Sequence, residues 1–587
     1  MTSRRLFLAI LVVYLLLAAG FSVTVPLGEA PDEADHYAYA RYLAQHRALP
    51  VGPTVTQGKH PPLYHGLAAL LGGWTGMGFD FLRANPDAFP LGPDAPPNFF
   101  VHTRLEAFPW RDGPLALHLA RFLSIFLGGV TLWATWRLGQ ESFPEEPAIG
   151  LLGAAFLAGL PGFLFISGAM NNDNAAGAFG GLALWLLVAS VRRGLSWRRS
   201  GLLGLVLGLG LLSKVGTLAL WPLTGLAVLG GLWPQRTRRQ AWIIGAGHLA
   251  LTVGLGLAVA SPWLLRNVRL YGDPLGWALV RQTVDQRTAP LTWEDYRWLA
   301  RGLYHYFWGR FGPIGQIWLP RWAYTVAGLA SLALLAGILR TLSRQRPFTP
   351  QTRFVLAILA LAPALVIASI VRYSAIALGT DQARLMWPGI AALAVWAGAG
   401  VAGLLRGGGQ GRSWELGKVV GSFLLLMAGV GLAALLLMVR PAFAPPRFEE
   451  PARFAQVAPL ARFGEGLELL AAELPQDPLP LGQPLPLTLY WRAATPLAQD
   501  LRPVVRLVHQ DGWLAAERDH SPAQGRYATD RWPPGAILAD PYRLAPDPAS
   551  PGLYRVLVGV RPFQGEWLPV QPPGEGGFLE VGRVRYR

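Results

Sequence analysis

The sequence predicts a polytopic α-helical membrane protein carrying an all-β sandwich domain at its C-terminal end. Three observations lead there. Of 587 residues, 52% are hydrophobic and 15% charged, against about 25% charged in an ordinary soluble domain. Uncharged apolar runs recur at roughly the 20 residues needed to cross about 30 Å of hydrocarbon. Beyond about residue 440 these runs give way to short segments rich in Val, Leu and aromatics, separated by Pro, Gly and Asp. That is the pattern of antiparallel strands.

The first run, Leu6 to Val25, follows Arg4 and Arg5. It is long and lacks a small-x-small cleavage site, so it reads as an uncleaved first helix with its N-terminus inside. Further runs lie at 115–137, 147–168, 174–191, 200–213, 217–233, 241–262, 322–340, 354–376, 385–405 and 418–439, about eleven crossings in all. With the N-terminus inside, the basic short connections fall on one side: Arg192/Arg193/Arg198/Arg199, Arg236/Arg238/Arg239, Arg340/Arg344/Arg346/Arg353 and Arg406/Arg412/Lys418. This is the positive-inside pattern. Both flanks of 200–233 are Arg-rich, which requires two short crossings with a turn near Ser213-Lys214-Val215-Gly216. The expected organisation is a membrane domain over 1–440 with outer loops 26–113 and 263–321, a linker at 441–459 and an extracytoplasmic β-sandwich over 460–587. The candidate strands are Leu485–Arg492, Pro503–Gln510, Leu553–Val560 and Phe578–Tyr586.

The net charge is +16, and only Lys59, Lys214 and Lys418 are lysines. The Arg surplus is scattered between apolar runs, which argues for an orientation signal and against nucleic acid as partner. The absence of Cys excludes a disulfide scaffold, a thiolate metal site and a Cys nucleophile. No Walker A, GxGxxG with a following acid, HExxH or GxSxG motif stands in a fitting context.

The first outer loop is the most informative stretch. It opens Pro26-Leu27-Gly28-Glu29-Ala30-Pro31-Asp32-Glu33-Ala34-Asp35-His36-Tyr37, with four acids and a His inside eight residues. Pro31 suits the first position of a helix, and Asp32 and Glu33 then fall in its first turn, where the helix N-terminus stabilises carboxylates. An ionised Asp there suits a general base acting on a hydroxyl. Helical spacing groups Asp32, Asp35, His36 and Tyr39 on one side. Lys59-His60-Pro61-Pro62-Leu63-Tyr64-His65 follows and leads into an apolar stretch too short to span, so it is expected at the interface, where a cation and two His are placed to receive a phosphate. Asn171-Asn172-Asp173, Lys214, Arg266 with Arg269, and Asp381-Gln382-Ala383-Arg384 all fall at outer helix ends in this topology. Arg121 lies within the second helix, where an intramembrane Arg needs a cavity or a partner such as a lipid headgroup or a first-loop carboxylate. Each of these, taken singly, also fits a helix cap or an interfacial belt. Their shared location is what points to a site.

The residues just described resemble integral-membrane glycosyltransferases of the C-type fold. The nearest are bacterial proteins like the protein O-mannosyltransferases and aminoarabinose transferases, some of which carry an appended C-terminal β-sandwich. The resemblance rests on Pro31-Asp32-Glu33 after a first helix, Arg41, His60-Pro61-Pro62-Leu63-Tyr64, Asn171-Asn172-Asp173, Leu212-Ser213-Lys214, Tyr271 to Gly276, Phe307 to Gly312 and Gln382 to Pro388. It covers roughly 1–440. It implies transfer of a sugar from a polyprenyl-phosphate donor to an acceptor hydroxyl at the outer face of a bacterial plasma membrane, with inversion. Asp32 is then the base, with Glu33 assisting it or holding the loop. A basic group near Lys59 or His60 holds the donor phosphate, with Arg121, Lys214, Arg266 and Arg384 as alternatives. Asp35, His36, Tyr64, Asn172 and Asp173 complete the expected substrate site. Aminoarabinose transferases often carry Lys directly before the Pro pair, where this chain has His60. The second outer loop is short, so the acceptor stays open among glycan, lipid and protein. No cofactor is expected, and the acids at Asp32, Glu33 and Asp35 leave room for a divalent ion. A transporter or flippase of a lipid-linked glycan is the alternative, but no internal repeat or midplane charge pattern supports it.

Overall fold

A computed structural model describes residues 2–89, 96–405 and 416–587, and the chain divides into two compact units. The first comprises Met1–Val25, Ala30–Met77 and Leu115–Pro441; the second comprises Pro26–Glu29, Gly78–Pro114 and Ala442–Arg587. The loop 26–113, placed with the membrane domain by sequence, is thus shared between them. Arg406 and Arg412 lie outside the described residues.

The first unit is helical: α1 (Ser3–Thr24), α2 (Glu33–His46), α3 (Leu63–Gly72), α4 (Asp112–Ser142), α5 (Pro147–Gly159), α6 (Pro161–Ser167), α7 (Asp173–Arg192) and α8 (Trp197–Ser213) lead into α9 (Leu223–Leu232) and α10 (Arg239–Tyr271). Then follow α11 (Trp277–Thr283), α12 (Trp293–Gly309), α13 (Arg321–Arg344), α14 (Pro350–Ser374), α15 (Ile390–Leu405) and α16 (Leu416–Ala434). This is a multi-pass membrane protein. Among the described residues nine helices are long and apolar enough to cross a membrane, and α5 with α6, bent by 67°, makes a tenth if counted as one span. Pro161 causes the bend: it has no N–H to continue α5, and Leu160 before it is extended. The short segment read from sequence at 200–213 is α8, 17 residues long, and Lys214 interrupts the helical path beyond it with an extended backbone.

Small residues let the helices approach closely. A Cβ at Gly180 of α7 would sit 2.2 Å from the carbonyl oxygen of Pro388, just before α15, so only Gly fits there. That contact matters because it holds the start of the 383–405 span against α7. Successive spans run back and forth, so the end of α1, the start of α7, the end of α8 and Arg384 share one end of the bundle. Arg192, Arg344 and Thr349 mark the other end.

In the second unit two antiparallel sheets form a sandwich. Its strands are β1 (Ala461–Phe463), β2 (Leu467–Glu473), β3 (Leu485–Ala493), β4 (Leu501–His509), β5 (Leu514–Asp519), β6 (Ile537–Leu544), β7 (Gly552–Pro562), β8 (Val570–Gln571) and β9 (Leu579–Tyr586). One sheet has the order β6-β3-β2-β1-β8 and the other β9-β7-β4-β5. Alternation places Leu487, Leu489 and Trp491 of β3 against Val505 and Leu507 of β4 and Val556 and Val558 of β7 in one core. Segments of the first loop join this unit through two buried histidines. His102 lies between Glu29 (3.1 Å) and Glu106 (2.8 Å), and His520 between Asp87 (3.4 Å) and Asp540 (3.3 Å).

Candidate functional site

The site is organised by Asn171-Asn172-Asp173 at the start of α7, three successive residues that each tie down a different segment. Asn171 donates from Nδ2 to the Pro31 carbonyl (3.2 Å), and its Oδ1 accepts the Asp173 N–H (2.9 Å). Asn172 donates to the Ser213 carbonyl (3.0 Å), next to Lys214. Asp173, fully buried, accepts from Lys214 Nζ at 2.5 Å and from Arg384 Nη1 at 3.2 Å. The first loop, the end of α8 and the start of the 383–405 span are thereby gathered at one point.

Asp32 joins this cluster through Arg384, whose Nη2 donates to its Oδ2. The sequence predicts Pro31 as the first helical residue, but α2 begins at Glu33, and Asp32 is the residue before it, in the left-handed region at φ 59°. Its side chain makes no capping bond to α2. The left-handed turn directs the carboxylate to Arg384 instead, and an Asp tolerates that conformation better than most residues. The Asp32 side chain is 43% exposed, the most accessible acid of the cluster. Enclosure by protein works to raise its carboxyl, but the Arg384 guanidinium, aided by Lys59 and Lys214, outweighs this and holds it below the usual carboxylate range. Asp35 is pushed up, by burial first and by the neighbouring Asp32 charge second. The two acids therefore differ in kind: Asp32 stays ionised and Asp35 protonates more readily.

Glu33 points the other way. Its carboxylate meets Arg121 of α4 in a two-pronged pair (2.8 and 2.6 Å) and accepts the Met170 N–H (2.7 Å), with neither charged side chain exposed. Arg121 also donates to the carbonyls of Ser22 and Val25. Both residues are enclosed, and their contacts brace the loop.

Lys59 is half-buried, with Nζ donating to the Thr283 carbonyl (3.1 Å). Burial lowers its ammonium, while Asp32 and Asp35 draw it back up. His60 and His36 are held well below the usual imidazole range, mainly by burial and then by surrounding cations and histidines. Both rings are neutral at physiological pH. His36 Nδ1 lies 2.8 Å from His65 Nε2, and burial lowers His65 to about 3. Tyr64 is buried against Ser124 of α4 (2.7 Å). Arg266 straps the loop through the Pro50 carbonyl (2.7 Å).

The structure thus brings Asp32, Asp35, His36, Lys59, His60, Asp173, Lys214 and Arg384 together, with Asn172 behind them. Glu33, Arg121, Tyr64 and Arg266 serve neighbouring contacts. Three residues not assigned to the expected site border Arg384: Tyr306, Arg310 and Gln382 line a small hollow with Pro31 and Trp387. Arg310 stacks over Trp318 (4.0 Å) and Tyr306 (4.7 Å) and lies 3.7 Å from Asp381. Arg310 falls in the Phe307 to Gly312 motif and Gln382 in the Gln382 to Pro388 motif, both read there only as resemblance, and Tyr306 lies one residue before the first. A larger cavity of about 450 Å³ sits at the opposite end, lined by Glu145, Glu146, Arg192, Arg344 and Thr349. It holds none of these groups, and Arg192 there is engaged with the Glu141 and Ser142 carbonyls and the Thr352 hydroxyl. Among the described residues no three His, Asp or Glu side chains converge as a metal site.

Comparison with known proteins finds a family model that matches part of the helical unit. Residues 117–265 match the family described as dolichyl-phosphate-mannose-protein mannosyltransferase. The matched stretch includes Arg121, Asn171-Asn172-Asp173 and Lys214. Similar solved structures include ArnT from Cupriavidus metallidurans bound to undecaprenyl phosphate, at 14% identity and a TM-score of 0.42, covering 74% of this chain and 73% of that one. Another is the Archaeoglobus fulgidus oligosaccharyltransferase in complex with Zn and sulfate, at 15% identity and a TM-score of 0.40, covering 76% of this chain and 54% of that one. No curated protein matches the chain in sequence.

Proposed function

We propose that this chain, whose residues 117–265 match a mannosyltransferase family, transfers a sugar from a polyprenyl-phosphate donor to an acceptor hydroxyl at the outer membrane face, inverting the anomeric carbon. The observation that carries the reading is Asp32: an accessible carboxylate, held ionised by a cation, at the mouth of a basic cluster.

The chemistry follows from what each group can do. Asp32 accepts the proton of the acceptor hydroxyl as its oxygen attacks the anomeric carbon. The bond from that carbon to the phosphate oxygen breaks, and the electron pair leaves with the polyprenyl phosphate. Lys59, with one carbonyl partner on a three-donor ammonium, is the cation to receive the phosphate. Lys214 is committed to Asp173. His60 and His36, being neutral, offer hydrogen bonds and no charge. A glycan, lipid or protein acceptor is compatible with this arrangement. Charged groups gather at one end of the bundle, which suits transfer more than transport, where they are expected near the midplane.

The test is an assay of the purified chain with polyprenyl-phosphate-linked sugars and a panel of hydroxyl acceptors. The expected result is release of polyprenyl phosphate matched mole for mole by a glycosylated product of inverted configuration. Translocation of the intact donor across vesicles without bond cleavage, or a product of retained configuration, would overturn it.

A further inference from the structure

We propose that Arg384 is a positioning residue for the base: it fastens the accessible Asp32 carboxylate to the buried Asp173, keeping Asp32 ionised and aimed. The inference rests on the reading of Asp32 as base and adds to it a role for Arg384 other than gripping the donor phosphate.

The geometry engages each of the three guanidinium nitrogens. Nε donates to Gln382 Oε1 (2.7 Å), Nη1 to Asp173 Oδ2 (3.2 Å) and Nη2 to Asp32 Oδ2. The side chain is 11% exposed. Asp173 in turn has its second oxygen on Lys214, so its position is fixed from two sides before it holds Arg384. Asn171, bonded to both the Asp173 N–H and the Pro31 carbonyl, references the backbone beside Asp32 to the same turn of α7. Asp32 is thereby located by backbone and by side chain from one rigid origin. Its left-handed backbone is a conformation that persists only where surroundings over-determine it. A guanidinium shared between two carboxylates presents little net positive charge to a phosphate. Lys59 presents more.

The groups facing the Asp32–Arg384 pair are Lys59, Lys214, Asp35, Asp173, His36, His60, Tyr306, Arg310 and Tyr373. Removing Arg384 leaves Asp32 with its enclosure and the nearby Asp35 and Asp173, opposed by Lys59 and Lys214. Its protonation then moves to higher pH.

Two measurements on the full chain test this. The first is the pH profile of kcat/KM for wild type, Arg384→Gln, Arg384→Lys and Gln382→Ala. The second is carbodiimide labelling of Asp32, read by peptide mass spectrometry across pH, which reports the protonated carboxyl and needs no turnover. In Arg384→Gln the acidic limb moves to higher pH, and Asp32 is labelled several-fold more at a pH where the wild type is protected. Gln382→Ala keeps the charge, loses only the bond to Nε, folds more safely, and gives a smaller change of the same sign. Donor KM stays within about twofold of wild type in Gln382→Ala. An unchanged acidic limb and unchanged labelling in the variants, with a several-fold rise in donor KM, would make Arg384 a phosphate ligand and overturn the proposal. A wild type that transfers no sugar would defeat the proposed function, while the labelling would still decide the role of Arg384.

Discussion

The guanidinium of Arg121 and the carboxylate of Glu33 form a two-pronged ion pair at 2.8 and 2.6 Å, with neither side chain exposed. It joins α4 to the residue directly after Asp32. Removing one member of a buried pair strands the other charge, at a cost of about 3–5 kcal/mol. Arg121→Ala is therefore expected to destabilise the helical unit by about that amount, read as a lowered melting temperature in detergent. Replacing both partners with apolar residues of similar volume should cost less than either single change. Equal losses in single and double variants would contradict a mutual pairing.

Lys59 and His60 are adjacent in sequence and differ in charge. Charge-assisted hydrogen bonds contribute about 1.5–3 kcal/mol, so Lys59→Ala should weaken binding of a polyprenyl phosphate about 10- to 100-fold. His60 is neutral at physiological pH because burial holds it well below the usual imidazole range. His60→Gln should change the same dissociation constant by no more than about threefold. A titration of both variants decides it, and a larger effect at His60 would reverse the assignment.

The second unit should be pH-sensitive on its alkaline side. His102 and His520 are buried, which alone would lower them, but their flanking carboxylates raise both to about 9. A folded value above the ordinary 6.5 gives stability that is fully present below pH 6.5 and is lost as pH rises through about 9. Limited proteolysis of the full chain should cut the region 442–587 progressively faster between pH 7 and 10. His520→Gln should be cut faster already at pH 7 and show a flatter pH dependence. A wild type with no change across that window would contradict the protonated bridges.

Much of the helical fold was legible because a membrane enforces a simple rule: long uncharged runs become spans. The turn at Lys214 came from charge on the flanks alone. The strands Leu485–Ala493, Leu501–His509, Gly552–Pro562 and Leu579–Tyr586 were legible from Val, Leu and aromatic residues between Pro, Gly and Asp clusters. Leu467–Glu473 was not, since Leu, Ala and Glu favour helices, and its strand form depends on pairing with Leu485–Ala493 on one side and Ala461–Phe463 on the other. Ile537–Leu544 carries Pro541 and Asp540, which mask a strand; Asp540 is buried there because it accepts from Ala523 and His520.

At the site, residue identities were readable and partnerships were not. Asp32 and Glu33 are neighbours with the same charge, and nothing in their order says that one faces Arg384 and the other Arg121. That split arises from the left-handed backbone of Asp32, which the sequence reading placed inside the helix. Arg384 lies 352 residues from Asp32, a separation no local pattern can bridge.

The most direct test of the account is the transfer rate of Asp32→Asn beside wild type, with polyprenyl-phosphate binding measured on the same preparations. A general base contributes about 10²- to 10⁴-fold. The account predicts a loss of that size in kcat, with the lipid phosphate bound as tightly as in wild type. Transfer by Asp32→Asn at the wild-type rate, on a folded protein that binds the lipid, would contradict it.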